Sequence, residues 1–436
     1  MRRNVEGARP VSWAPVVLVS ASALLGVLAG ETGADERADR IVRAFFESPG
    51  VVLVSKGGRS VLRLGPGLDL VAWKEKLKKL RAEVRNGMMI SRNATGIVAV
   101  QKQGQEWTVT YSIGDKEAGT VHPLNGGSAD VVLPARKLGE HYIGLALAGD
   151  GEDTPPGEGG RAGAGGNANV ELGNDADRQF AIAMAGDAGV SGFNSEGRIG
   201  GDSVVSVPSH DPGVDRGHGY WACGGKGGDA GRSSLLVPLV PRERAASGGP
   251  GGQTEVFDLS NSSQAWLLGG DGGDGGEPLD VRVLDRFGTG IPAAPPQDGG
   301  DGGGAGLAHV SMRINVEEGS SAHVVGGRGG NGAKGGSGGA FVFWDLEIHV
   351  PGADGGRGGD RGEIRLQAVD RNLFHMLDIR KGGDGGDGGA GCPGGNPGES
   401  GAGGKVWFFH SVNGTLDQLA EEEEGDPGLP GENLCD

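Results

Sequence analysis

In the stretch GGRGGNGAKGGSGG, residues 326–339, glycine returns at 326, 329, 332, 335 and 338, and again at 327, 330, 336 and 339. A segment so short of side chains has almost nothing to bury, so it builds no ordinary core. The spacing does suit a left-handed helix of three residues per turn, which sorts it into two bare edges and one edge bearing Arg328, Asn331, Lys334 and Ser337. Bare edges let backbones lie side by side, with amide hydrogen bonds and Cα–H···O contacts standing in for side-chain packing. Entropy opposes this, because ordering a residue costs about 1–2 kcal/mol, most of all for glycine, and glycine-rich linkers are usually coils. Triplet phase held over whole tracts, with strands at both ends, favours an ordered bundle over a flexible spacer.

Similar tracts recur through the last two thirds of the chain, and they bring glycine to 92 of 436 residues. They sit in an irregular repeat of strand, polar turn, strand and glycine tract. Examples are NVELGNDADRQFAIAMAGDAG from 169, TEVFDLSNSSQAWLLGGDGGDGG from 254, SMRINVEEGSSAHVVGGRGGNGAKGG from 311 and EIRLQAVDRNLFHMLDIRKGGDGGDGG from 363. The strands, rich in Val, Ile, Leu and Phe, are the expected source of core. Residues 119–412 therefore read as one repeat region. Residues 413–436, which end in DQLAEEEEGDPGLPGENLCD, read as an acidic, disordered tail with three collagen-type triplets.

Before the repeats the composition is ordinary. Residues 1–29 read as a cleaved signal peptide, with Arg2, Arg3 and Arg9 ahead of the apolar run 14–29 and small Val27 and Ala29 before the cut. Residues 30–118 read as a small α+β domain. It holds a helix over 34–46, a hairpin over 51–64 with Gly57-Gly58 at its turn, a second helix ending at Asn86-Gly87, and a hairpin from 97–100 and 107–113. The second helix carries Trp73, Leu77, Leu80 and Val84 at amphipathic spacing. Its other face bears Lys74, Lys76, Lys78, Lys79, Arg81 and Arg85. That face reads as solvated, the alternative being docking on an acidic partner, including the acidic remainder of the same chain. The expected fold class is mainly β with polyglycine-II-like tracts, preceded by the small α+β domain.

Fifty-seven acidic against 40 basic residues, a net charge of −17, argue against nucleic acid as a partner. After signal removal no segment is long and apolar enough to span a bilayer. Export gives meaning to the glycosylation sequons at Asn93, Asn261 and Asn413. Cys223, Cys392 and Cys435 allow at most one internal bridge with a thiol left over, or an intermolecular link, and no CxxC spacing signals zinc.

The glycine tracts imitate several catalytic and binding motifs. GESGAGGKV at 398–406 is similar to a nucleotide-binding P-loop, but Val406 stands where a magnesium-holding hydroxyl is required and no helix pattern follows. Ser337, within GGSGG, matches the hydrolase elbow only through its glycines, and no strand, helix, His and Asp surround it. Calcium is the stronger contender. The first six positions of the RTX β-roll repeat are met at 224–229, 269–274, 355–360 and 382–387, which makes Asp271, Asp274, Asp384 and Asp387 the candidate metal ligands. The large apolar residue of that repeat is glycine each time, at 231, 276, 362 and 389. His210, Asp211, Asp215 and His218 lie close together but match no standard metal spacing and read as a solvated loop.

Residues 149–404, on the strength of these GGX triplets, resemble exported glycine-rich repeat proteins, among them PGRS-type repeats and polyglycine-helix adhesins and antifreeze proteins. The amino-terminal module departs from the PGRS type, which begins with a helical PE domain. The resemblance implies a secreted or cell-surface structural or adhesive protein that is not an enzyme and has no cofactor. Its implied partners are extracellular matrix, a cell surface or further copies of itself. The alternatives are a calcium-dependent surface binder, or an enzyme whose site sits in strand-end loops.

Overall fold

A computed structural model describes residues 40–46, 51–56, 59–64, 70–87, 94–102 and 107–113. From 123 to 435 it describes all but 135–138, 174–178, 207–218, 234–243, 260–263, 281, 285–290, 295, 313–320, 344–345, 369–373, 379–383, 412–413 and 422–425. The protein is mainly β, and among the described residues it has two helices, residues 40–46 (α1) and Leu70–Gly87 (α2), and two mixed eight-stranded sheets. Sheet I runs, edge to edge, through Trp107–Ile113, Thr95–Lys102, Glu140–Leu147, Gln179–Met184, Gly219–Cys223, Gln264–Leu268, Ser321–Val325 and Phe374–Asp378. Sheet II runs through Ala129–Val132, Ala168–Glu171, Ser203–Ser206, Thr254–Leu259, Ala308–Met312, Ile364–Ala368, Lys405–His410 and Leu416–Glu421.

The two strands of each repeat unit do not pair with each other. One lies in sheet II, the next in sheet I, and each pairs in parallel with its counterpart in the neighbouring unit, as Trp221 does with both Ile182 and Trp266. Parallel pairing requires a long connection from strand to strand, and here the glycine tracts make it rather than helices. Two antiparallel hairpins, Arg282–Leu284 with Ile291–Ala294 and Gly339–Phe343 with Leu346–Val350, are inserted between units and join neither large sheet.

The interior between the sheets is a wedge. Moving away from the tracts, inward residues of sheet II grow from Ala129 through Val131 to Leu133, and from Ala168 through Val170 to Leu172, all buried. In sheet I the inward residues shrink towards the tracts, from Tyr142 through Gly144 to Ala146 and Ala148. A Cβ on Gly144 would come 2.9 Å from a Leu133 methyl carbon. Facing strands of the two sheets bring Cα atoms within 8 Å, closer than the usual spacing of about 10 Å for packed sheets. Small side chains at the tract end let the two layers converge until backbone meets backbone.

Beyond the strands the same two layers continue as extended tracts, and their amides can be accounted for one by one. In the triplet 272–274, Gly272 N–H donates to Arg328 O in the next tract of its own layer (2.8 Å), and Gly273 N–H to Gly249 O in the other layer (2.8 Å). Asp274 N–H donates to the Asp229 carboxylate of the preceding tract (2.9 Å). The pattern repeats across the bundle, for instance Gly330 N–H to Gly303 O and Gly303 N–H to Gly273 O, both 2.8 Å. Cβ atoms at Gly272 and Gly273 would lie 1.9 and 2.1 Å from carbonyl oxygens of adjacent tracts, which is why those two positions are bare.

Trp73, Leu77, Leu80 and Val84 are buried, as their spacing predicts, and pack on the outer face of sheet I against Ile143, Leu145, Phe180, Ile182, Met184 and Trp221. Burying four such side chains contributes on the order of 8 kcal/mol before entropy. Trp73 meets Trp221 edge-on at 6.4 Å. Both hairpins expected before residue 118 form. The strand Thr95–Lys102 also pairs along its length with Glu140–Leu147, so sheet I runs across the 118/119 boundary.

The described residues of 413–436, which are 414–421 and 426–435, differ from the disordered tail expected of them. Leu416–Glu421 closes sheet II antiparallel to Lys405–His410. From Asp426 onward the GDP-GLP-GEN triplets form one more tract, in which Gly428 N–H reaches Gly398 O (3.1 Å), Gly431 N–H reaches Gly395 O (2.9 Å), and Gly385 N–H reaches Asp426 O (2.8 Å). Pro427 and Pro430, which have no N–H to donate, occupy the remaining position of each triplet on this edge tract. Acidic composition hides a segment whose glycines keep the phase of the bundle.

Candidate functional site

The side chains that project from the tracts are ordered into rows. Asp229, Asp274, Asn331, Asp384 and Asp426 stand on successive tracts. Each of the last four donates its backbone N–H to the Oδ1 of the residue before it, at 2.9, 2.8, 3.3 and 3.0 Å. In the opposite layer Asp298, Asp354 and Asn396 do the same at 3.0 and 2.8 Å. The aspartates of the GGD triplets thus accept the one amide per turn that glycine contacts leave over.

The four candidate calcium ligands lie in this scheme. Asp271 and Asp274 accept the amides of Arg328 and Asn331 (both 2.8 Å), while Asp384 and Asp387 accept those of Asp426 (3.0 Å) and Leu429 (2.8 Å). The tract 326–338 stands between the two pairs, with the Arg328 guanidinium 3.9 Å from Asp384 Oδ2. The four carboxylates are not gathered around one point. Among the described residues, the group whose ligand atoms do converge is His349, Cys392 and Cys435, within 4.8 Å of one another. Nothing in the sequence marks this trio, since its members are 43 residues apart at each step. Cys392 and Cys435 form the disulfide, and Cys223 is buried and free.

Other expectations fall as follows. Asn93, Asn261, Asn413, the 1–29 segment and the cluster His210, Asp211, Asp215 and His218 lie outside the described residues. Gly404-Lys405 leads into the strand Lys405–His410, not the helix a P-loop needs. Ser337 sits inside a tract and donates its amide to Asp280 Oδ1 (2.7 Å). No helix among the described residues is long and apolar enough to cross a membrane.

Half of the basic face of α2 is a clamp, as the acidic-remainder alternative would have it. Lys74 Nζ donates to Gly224 O (2.9 Å) and lies 3.3 Å from Asp187, Lys78 lies 2.6 Å from the other oxygen of Asp187, and Arg81 reaches both Ala148 O and Asp150. Gly224 and Ala148 each follow a strand of sheet I, so the helix covers the junction where sheet gives way to tract. Burial on its own would lift the Asp187 carboxyl, but Lys74, Lys78 and the Lys226 amide outweigh it and hold it well below the usual carboxylate range. Burial likewise works against the Lys74 charge, and the facing Cys223 and Asp187 more than reverse this. Because burial pushes the Cys223 thiol up to about 11, that sulfur is uncharged at neutral pH, and Asp187 is the partner that holds Lys74 protonated. Of the other basic residues, Lys76 and Lys79 join Arg40 on the rim of a cleft of about 810 Å³ between α1 and α2, floored by Ile41, Phe45 and Leu80, and the Arg85 side chain lies outside the described ones. No protein-family model, no curated protein and no solved structure matches this chain.

Proposed function

We propose that the chain is a secreted or cell-surface, non-enzymatic structural or adhesive protein whose glycine tracts form a polyglycine-II bundle, preceded by a small α+β module over 30–118 whose helix α2 covers sheet I. The observation that carries this reading is the amide accounting: consecutive N–H groups of a GGX triplet such as 272–274 go to three different neighbours, two of them backbone carbonyls and one a carboxylate. A left-handed three-residue helix bonded to neighbours around it has that pattern, and a flexible spacer does not. Such a bundle is rigid without an apolar interior, and its two outer surfaces present regular rows of charged groups. Those rows suit attachment to an extracellular matrix, a cell surface or further copies of the chain.

Two measurements test it. Tract amides such as those of Gly273 and Gly330 are expected to exchange with solvent far more slowly than in an unstructured peptide; exchange at the denatured-chain rate removes the bundle. Beads carrying the full chain are expected to attach to matrix-coated or like-coated surfaces more than uncoated beads do, and attachment no different from uncoated beads removes the adhesive role.

A further inference from the structure

The His349, Cys392 and Cys435 cluster has the make-up of a metal site, locked at present as a disulfide. His349 is near the end of the inserted hairpin strand Leu346–Val350. Cys392 is held beside it, since its N–H donates to Val350 O (3.0 Å), and the edge tract delivers Cys435 through the bond from Leu434 N–H to Gly391 O (2.7 Å). The His349 Nδ1 lies 2.9 Å from Cys392 Sγ. On the far side of the ring, Nε2 is 3.8 Å from the Glu347 carboxylate. A carboxylate behind the second nitrogen of a ligating histidine is a recurrent means of fixing its tautomer and orientation. Cys392 is buried, whereas Cys435 and His349 are exposed, so both a reductant and an ion reach the cluster from solvent.

We propose that reduction of this disulfide opens a three-ligand site for a thiophilic divalent cation of the zinc type, made of both sulfurs and His349 Nδ1, with a fourth position open to water. The disulfide takes two electrons and two protons from a dithiol, which is itself oxidised to a disulfide. On metal binding each thiol releases its proton to solvent as its thiolate–metal bond forms, while neutral His349 donates its Nδ1 lone pair. Tetrahedral zinc places such donor atoms about 3.7 Å apart, so the cluster, already within 4.8 Å, needs only side-chain rotation once the sulfurs part. The tract ending at Cys435 is then tied to Cys392 in either redox state, by a covalent bond or through the ion, and the ion ties both to the hairpin as well.

The test uses the full chain, reduced with a phosphine and kept without oxygen, and cobalt(II) as a visible stand-in for zinc. One equivalent is expected to give a thiolate-to-cobalt charge-transfer band with the intense visible bands of a tetrahedral site, bleached by zinc, while the oxidised chain gives neither. Cys435→Ser is expected to lose most of the charge-transfer intensity, and His349→Ala to weaken binding more than about tenfold. Glu347→Gln, which leaves every ligand and the disulfide in place, is expected to weaken it about 10- to 100-fold. No cobalt–thiolate band in the reduced chain overturns the proposal. So does a band whose strength and affinity are unchanged in both His349→Ala and Cys435→Ser, because the ion then sits elsewhere.

Discussion

Neighbouring glycines in the tract that precedes Ala308–Met312 answer to different constraints, and a pair of alanine substitutions separates them. A Cβ on Gly303 would lie 2.1 Å from Gly249 O, whereas on Gly304 the nearest atom is Asp360 O at 3.7 Å. A carbon against a carbonyl oxygen needs about 3.3 Å, so Gly303→Ala must push two tracts apart by about 1 Å. That displacement loosens the bonds from Gly303 N–H to Gly273 O and from Gly330 N–H to Gly303 O, both 2.8 Å and both in the bundle interior. Each bond contributes about 1 kcal/mol net and more when its groups stay buried without a partner, and the steric strain adds a similar amount, so the loss is about 3 kcal/mol. Gly304→Ala stays within about 0.5 kcal/mol, or stabilises slightly by restricting the unfolded chain. Thermal melting followed by far-ultraviolet circular dichroism should place Gly303→Ala about 3–5 °C below Gly304→Ala, the shift that about 3 kcal/mol makes in a chain of this length. In a flexible spacer the two alanines are equivalent, so equal midpoints with unchanged amide exchange at Gly330 refute the reasoning.

Asp187→Asn is expected to cost about 2–4 kcal/mol at pH 7, because it leaves Lys74 charged and buried without its counter-ion. The native Asp187 pKa is depressed, so its contribution is fully present above about pH 4 and fades as pH falls below that towards the native value; denaturant midpoints of wild type and variant should therefore converge only in acid. Asp274→Ala is expected to cost about 1 kcal/mol and to speed exchange of the Asn331 amide, while Asp274→Asn, which keeps an oxygen acceptor, changes little; equal effects from both rule out the strut role. Calcium is expected to leave the far-ultraviolet spectrum unaltered, since Asp271, Asp274, Asp384 and Asp387 already hold backbone amides and stand apart. A metal-induced gain of β signal counts against that description.

The parts legible in advance were those with a strong period. Trp73, Leu77, Leu80 and Val84 repeat at helical spacing and are buried together; the strand, turn, strand and tract order likewise carries straight into the fold. The sending of the two strands of a unit to different sheets was not legible, because alternating apolar residues fit a hairpin as well as a parallel sandwich. The clue lay in side-chain size: the series Ala129, Val131, Leu133 and Ala168, Val170, Leu172 record a wedge, which periodicity ignores. The GGD aspartates read as candidate calcium ligands because an acceptor for a neighbouring tract and a carboxylate free for a metal are the same residue in one dimension. Lys74 and Arg81 looked solvated for the same reason, since their acceptors, Gly224 O and Ala148 O, are backbone atoms with no signature in composition.

A lattice built from main-chain donors and acceptors has no natural stopping place, because a fresh copy can always dock where the last row ends, and that is how fibres start. The row containing Pro427 and Pro430 presents pyrrolidine rings at positions where its predecessors present N–H groups. An incoming molecule meets carbon there in place of hydrogen-bond donors, and with the Cys392–Cys435 bond holding the row down it cannot peel away to expose the one beneath. Two imino acids and a covalent staple thus keep an aggregation-ready architecture to a finite width on that side.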